Sequence, residues 1–242
     1  MPAAARKIPG RRKNIFFRFR RNKKRRPRLL SSEPDFTDEN ISAERRRKKT
    51  IIEMETKLHS LLAQSAAEVL RQAVGLLARL DDAQYNGGSE AARARGGTPG
   101  GHFRHCLEFV ECFLAGAETG KIDYSRRARD RRLENDRQLA ADGFRRAIDR
   151  LEKLAATAVP AGTKKALRVR PEAAGGPNGA PFWCASSLER ELEFMQSHTI
   201  HHYALIACQL RRMNVAVPAE FGVAPSTLRH RAAKTKFYSQ KL

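Results

Sequence analysis

From Met54 onward the chain adopts a three- and four-residue rhythm of apolar positions: Leu58, Leu61, Leu62, Val69, Leu70, Val74, Leu77 and Leu80. That spacing predicts an amphipathic helix opening a folded domain. A glycine-rich stretch, residues 86–101, ends it. Thr98-Pro99 then supplies an N-cap followed by proline in the first turn, so a second helix is expected to about Ala117, with Phe103, Cys106, Val110, Phe113 and Leu114 as its stripe. A third helix is predicted from about Leu133 to Ala158, with Leu139, Phe144, Ile148, Leu151 and Leu154 inward and Pro160 and Gly162 closing it. Ser186-Ser187 reads as the cap of a fourth, Leu188 to about Met213, stopped before Pro218. Between the third and fourth, residues 164–185 alternate loosely around the turn GGPNGAP, the pattern of a short two-stranded excursion. The expected fold is all-α: a four-helix bundle with a short β-hairpin-like excursion between helices 3 and 4.

Charge divides the chain further. Of 242 residues, 41% are hydrophobic and 30% charged, enough for one domain with an appendage. The formal charge of +21 is uneven: residues 1–53 hold 18 Lys and Arg against 6 Asp and Glu, while the remaining 189 residues hold 29 against 20. We therefore expect a basic, disordered extension over 1–53, the bundle over 54–215, and a tail over 216–242 that packs on or trails the bundle. The block at 6–28 repels itself and has no apolar period to bury. Such an arm contacts nucleic acid by releasing counterions, without regard to sequence, and Phe16, Phe17 and Phe19 are spaced to stack on bases. A competing reading makes Met54 the native start and residues 1–53 upstream translation.

The tail segment EFGVAPSTLRHRAA resembles the turn and recognition helix of a helix-turn-helix, but Pro218 to Phe221 is too short for a supporting first helix. A strap packing Phe221 and Leu228 on the bundle is expected instead. No window reaches the roughly 18 apolar residues of a membrane span, so a cytoplasmic protein with no membrane partner is expected. Cys106, Cys112, Cys184 and Cys208 form no CxxC pair and read as buried, reduced thiols.

Candidate chemistry lies in the histidines. Five of seven fall in two clusters, His102 and His105 on the second helix and His198, His201 and His202 on the fourth. His198 and His202 are one helical turn apart and can reach a single metal ion, whereas His201 points elsewhere. The core stripe Leu188, Leu192, Met195, Ile206, Leu210 and Met213 lies on the side of His202, with His198 at its edge. On the second helix, His102 lies nearer the apolar stripe than His105, and periodicity leaves the third ligand open. A lone histidine at a core edge is commonly a packing residue; two at i,i+4 facing another cluster point to metal.

The HCLE step at 105–108, the IDY at 122–124 and the HxxxH step from His198 to His202 in SHTIHHYALI together resemble the DinB/YfiT-like superfamily of small four-helix metalloproteins. The resemblance covers about Met54 to Met213. It implies a divalent metal, usually zinc or nickel, bound by one histidine of the second helix and the HxxxH pair of the last. The helix-two ligand is implied to precede an apolar-acidic step about seven residues after the helix-starting Ser or Thr, which selects His105 with His102 as the substitute. The implied activity is that of a metal-dependent transferase, such as a thiol S-transferase using a low-molecular-weight thiol, or of a hydrolase, acting on a small molecule as a monomer or homodimer. Glu191, Tyr124 and Asp123 are candidate proton acceptors, against a plainer reading as a solvated helix carboxylate and loop packing. The alternative of another class is a non-catalytic, metal-stabilised bundle whose basic arm contacts nucleic acid.

Overall fold

The computed structural model describes residues 38–87, 97–157, 166–170 and 182–239. The chain forms two units, Met1–Ser42 and Ala43–Leu242. The described residues of the first are the opening turn of a helix; the core and the candidate site belong to the second.

That helix, α1 (Asp38–Leu77), begins well before the apolar rhythm at Met54. Its early turns carry no core residues, and exposed i,i+4 pairs run through the basic stretch: Lys48 to Glu44 at 2.6 Å and Lys49 to Glu53 at 4.0 Å. Its buried face matches the predicted stripe at Val69, Leu70 and Leu77 and differs at its N-terminal half. Ala63, Ala66, Ala67, Leu70, Ala73 and Leu77 are buried, while Leu58 and Leu61 are exposed. The alanines share the buried face with Leu70 and Leu77 of the predicted stripe.

A single turn, α2 (Asp82–Tyr85), follows, closed by a capping box between Asp81 and Gln84. Helix α3 (Pro99–Thr119) starts as predicted: the Thr98 hydroxyl accepts from the Gly101 amide at 2.9 Å and Pro99 occupies the first turn. Gly120, at φ 82°, turns the chain back. Strand β1 (Lys121–Asp123) then lies against the helix it has just left. A Cβ on Gly116 would sit 2.7 Å from Ile122 Cα, so only glycine permits this contact.

β1 pairs in parallel with β2 (Leu167–Arg170), which pairs antiparallel with β3 (Cys184–Ser186). The two-stranded excursion is thus part of a three-stranded sheet. Three-residue β1 is too short to show a period of two. The GGPNGAP turn lies outside the described residues.

The predicted third helix is two. After a 3₁₀ turn (Tyr124–Arg126), α4 (Arg131–Asn135) stops at Asp136 and α5 (Arg137–Ala156) starts from it. Asp136 is extended, and its carboxylate accepts from the amides of Gln138 and Leu139 at 2.9 Å each. An aspartate competing for backbone amides ends one helix by capping the next. Pro160 and Gly162 lie outside the described residues.

Helix α6 (Leu188–Arg212) is capped by Ser187, as the sequence predicts within one residue. One hydrophobic cluster joins α1, α3, α5 and α6, with Ile122 of β1 and Leu167 of β2. Residues 213–224 contain turns and no helix, so the helix-turn-helix resemblance has no first helix; α7 (Pro225–Ser239) follows. Phe221 is buried and stacked on Tyr203 of α6, centroids 4.7 Å apart, and Leu228 is half-buried. The fold is mostly helical with one small sheet, and no described helix is long and apolar enough to cross a membrane. Of the four cysteines, only Cys106 is buried: Cys112 is half-buried, and Cys184 and Cys208, on a strand and on the outer face of α6, are exposed.

Candidate metal centre

Thr98 sets the start of α3, which places His102 and His105 in its first two turns. Helix α6 presents His198 and His202 one turn apart across from them. The three-residue step from His102 to His105 turns the helix by about 300°, leaving both rings within about 60° of each other. Both therefore meet α6, His105 beside His198 and His102 beside His202.

His105 Nε2 lies 2.8 Å from His198 Nε2. The rings of His105, His198 and His202 form a triangle with centroids 4.4, 4.6 and 5.0 Å apart. One nitrogen from each lies within 4.8 Å of the other two, and all three residues are half-buried. His102 sits behind, its Nδ1 3.0 Å from His202 Nδ1. His201 is exposed, its ring centroid 5.3 Å from that of His202.

The donor set suits a divalent cation. With zinc–nitrogen bonds of about 2.0–2.1 Å, tetrahedral geometry separates two ligating nitrogens by about 3.3 Å. The 2.8 Å separation of His105 and His198 opens to this value by a shift of about half an ångström. Two nitrogens that face each other at hydrogen-bond distance without a cation require one of them to carry a proton; a cation between them takes both lone pairs.

The electrostatics favour a neutral His202 ring. Burial, and then the surrounding rings of His105, His198, His102 and His201, pull the His202 imidazolium from its ordinary 6.5 down to about 3. The unfolded chain binds this proton below about 6.5, the folded chain only below about 3, so stability is undiminished above the first value and falls as pH drops toward the second. In metal-free protein, the melting temperature is expected to decline through that window, and more shallowly in His202→Gln, as checked by calorimetry across pH.

Beside His198 the site opens into a cavity of about 560 Å³, lined by Phe109, Tyr124, Val169, Phe194, Arg190 and Glu191 among others. Phe109 lies flat between Tyr124, at 4.0 Å and 7°, and His198, at 4.1 Å and 23°. Phe194 leans over the same stack, its centroid 5.7 Å from Phe109 and 6.1 Å from His198. Sequence reasoning passed over both phenylalanines. Their signal is positional: Phe109 is one turn after His105 and Phe194 one turn before His198, so each shares a helix face with a histidine of the cluster.

Glu191 is 3% exposed rather than solvated. Its Oε2 accepts from the Tyr124 hydroxyl at 3.0 Å and its Oε1 from the Ser186 hydroxyl at 2.6 Å. Burial, then the neighbouring carboxylate, pushes the Tyr124 phenol well above its usual range. Glu191 thus clamps the 3₁₀ turn and β3 to α6 through both of its oxygens. Asp123 is likewise engaged, by the Ser125 amide at 3.0 Å and by Arg170 at 3.2 Å. Partial burial opposes its charge, but these partners outweigh it and hold the carboxyl below the usual range. Glu108, next to the cluster in sequence, is spent on the Asp130 amide at 2.6 Å and anchors the loop before α4.

Comparison with known proteins adds little to this geometry. No protein-family model matches the chain, and no solved structure matches it. A 109-residue stretch, 45% of the chain, is 31% identical to FK506-binding protein 5 of Rhizopus delemar. The stretch covers 27% of that protein's length, so the likeness is to part of a longer chain.

Proposed function

We propose that the chain is a DinB/YfiT-like metalloprotein in which α1, α3, α5 and α6 form a four-helix bundle and His105, His198 and His202 bind one divalent metal, zinc or nickel. The proposed activity is metal-dependent transfer to, or hydrolysis of, a small molecule, with a low-molecular-weight thiol as the candidate co-substrate. The observation that carries this reading is the meeting of three imidazoles from two helices at one point, beside a cavity of ligand size. Three neutral ligands leave the cation its full positive charge, which activates a water, a thiol or a carbonyl at its open positions.

The chain's own residues orient this centre. If the Nδ1 hydrogen of His202 is donated to His102 Nδ1, the Nε2 lone pair of His202 is free to ligate; the opposite tautomer blocks it. His102 is then a positioning residue, and His102→Ala should weaken metal affinity by about 10–100-fold, the usual range for such partners. Competition against a chromophoric chelator measures this. Phe109 packs the outer face of His198 and keeps water from that side of the ring. The test of the whole reading is metal content: chelator-stripped protein should take up one zinc or nickel ion per chain. Failure to bind either ion tightly would refute it.

A further inference from the structure

The cavity beside His198 carries information about what it receives. Its polar groups are already paired with one another: Tyr124 and Ser186 donate to Glu191. Facing a ligand besides these are the Phe109–Tyr124 stack, Phe194, Val169 and Ala185 on the walls, the Cys184 thiol, His198 and Arg190. Phe194 is 40% exposed although it lies against aromatic neighbours on one side, and this is an unusual exposure for a ring with so much apolar surface beside it. The Arg190 guanidinium stands 5.5 Å from the centre of that ring, and its side chain is 65% exposed.

Both signs of charge meet at this end of α6, whose first turn carries Glu189 and Glu191 on either side of Arg190. Arg190 contacts Glu191 at 3.4 Å, Arg170 pairs with Asp123, and Arg127 donates to the Tyr124 carbonyl. The two carboxylates that meet these guanidiniums, Glu191 and Asp123, have hydroxyl partners besides, and Arg190 keeps most of its side chain exposed. Arg190 is the cation among the described lining residues.

We infer that the cavity binds an arene-bearing organic anion, its ring against Phe109 and Phe194 and its acid group at Arg190, with the reacting end toward His198. Arg190 and His198 are eight residues apart on one helix, about 12 Å along its axis. A ligand that spans both is longer than a single benzoate and has the dimensions of a fused or linked two-ring acid, which a cavity of about 560 Å³ accommodates. The identity of the reacting end rests on the metal-site reading; binding of the arene and acid does not.

Calorimetric titration of the full chain, metal-stripped and zinc-loaded, tests the inference with 2-naphthoate, naphthalene-2-carboxamide and 2-naphthylmethylammonium as probes. The acid should bind both forms, and at least about tenfold more tightly than the ammonium. Phe194→Ala, at a half-exposed position that leaves the core intact, should weaken the acid roughly tenfold, and Arg190→Gln should bring the acid down to the level of the amide without changing the amide. Equal binding of acid and ammonium, or acid binding indifferent to Phe194→Ala, would overturn it. A chain that binds the acid but no zinc refutes the metal reading alone; one that takes zinc but ignores all three probes refutes the inference alone.

Discussion

Replacing both α6 histidines, His198→Ala with His202→Ala, should abolish tight metal binding while the helix itself persists. A four-ligand structural zinc site contributes an apparent free energy of about 10–16 kcal/mol, so each protein ligand is responsible for roughly 3 kcal/mol, or about two decades of affinity. Loss of two of three nitrogens therefore predicts a fall of about ten-thousandfold. Alanine is a better helix former than histidine, and neither ring is fully buried, so the scaffold is not expected to suffer. Elemental analysis after gel filtration gives the stoichiometry, and circular dichroism confirms the helix. His201→Ala, one residue away but exposed, is the matched control and should retain a full load. A full load in the double variant would mean that the cation sits elsewhere.

The largest effect on stability is expected at Phe103. The ring is 0% exposed and touches Tyr85, Phe144, Tyr203 and Phe221, with centroids 5.9 to 6.5 Å away. Those partners lie on α2, α5, α6 and the turn before α7, so one side chain of α3 joins four other segments. Phe103→Ala removes the apolar contact and leaves a cavity whose walls belong to different elements and cannot collapse together, which predicts a loss of about 3–5 kcal/mol. Urea denaturation followed by circular dichroism checks this. Surface pairs such as Arg150 with Glu111 and Glu118, although they bridge α3 and α5, should each change stability by less than about 1 kcal/mol when broken. A Phe103→Ala penalty no larger than that would mean the aromatic cluster is not the keystone its contacts describe.

Helix positions were legible wherever local chemistry decides them. Thr98-Pro99 and Ser187 cap their helices through bonds to amides three residues away. The inward pair His198 and His202 followed from helical geometry alone. Asp136 was equally local, yet it was missed because the apolar rhythm on either side runs through it without a break. On α1 the stripe was read correctly at Val69, Leu70 and Leu77, while Ala63, Ala66, Ala67 and Ala73 were missed because alanine carries little hydrophobic signal in a sequence.

Other features depend on contacts between residues far apart in the chain. His102 and His105 look interchangeable along α3, and only the crossing of α3 with α6 sets one beside two histidines and the other behind them. Glu191 reads as a helix carboxylate; it is buried because a turn 67 residues earlier folds over it and offers a hydroxyl. Strand β1 has three residues and no pattern of its own, and it becomes a strand when β2 pairs with it. Caps, amphipathic stripes and i,i+4 spacing are set within about one turn of chain, so residue order alone determined them. Which faces meet depends on the relative placement of whole helices, a sum of many weak contacts that no local window contains, and the gathering of His105, His198 and His202 where α3 meets α6 arises at that level.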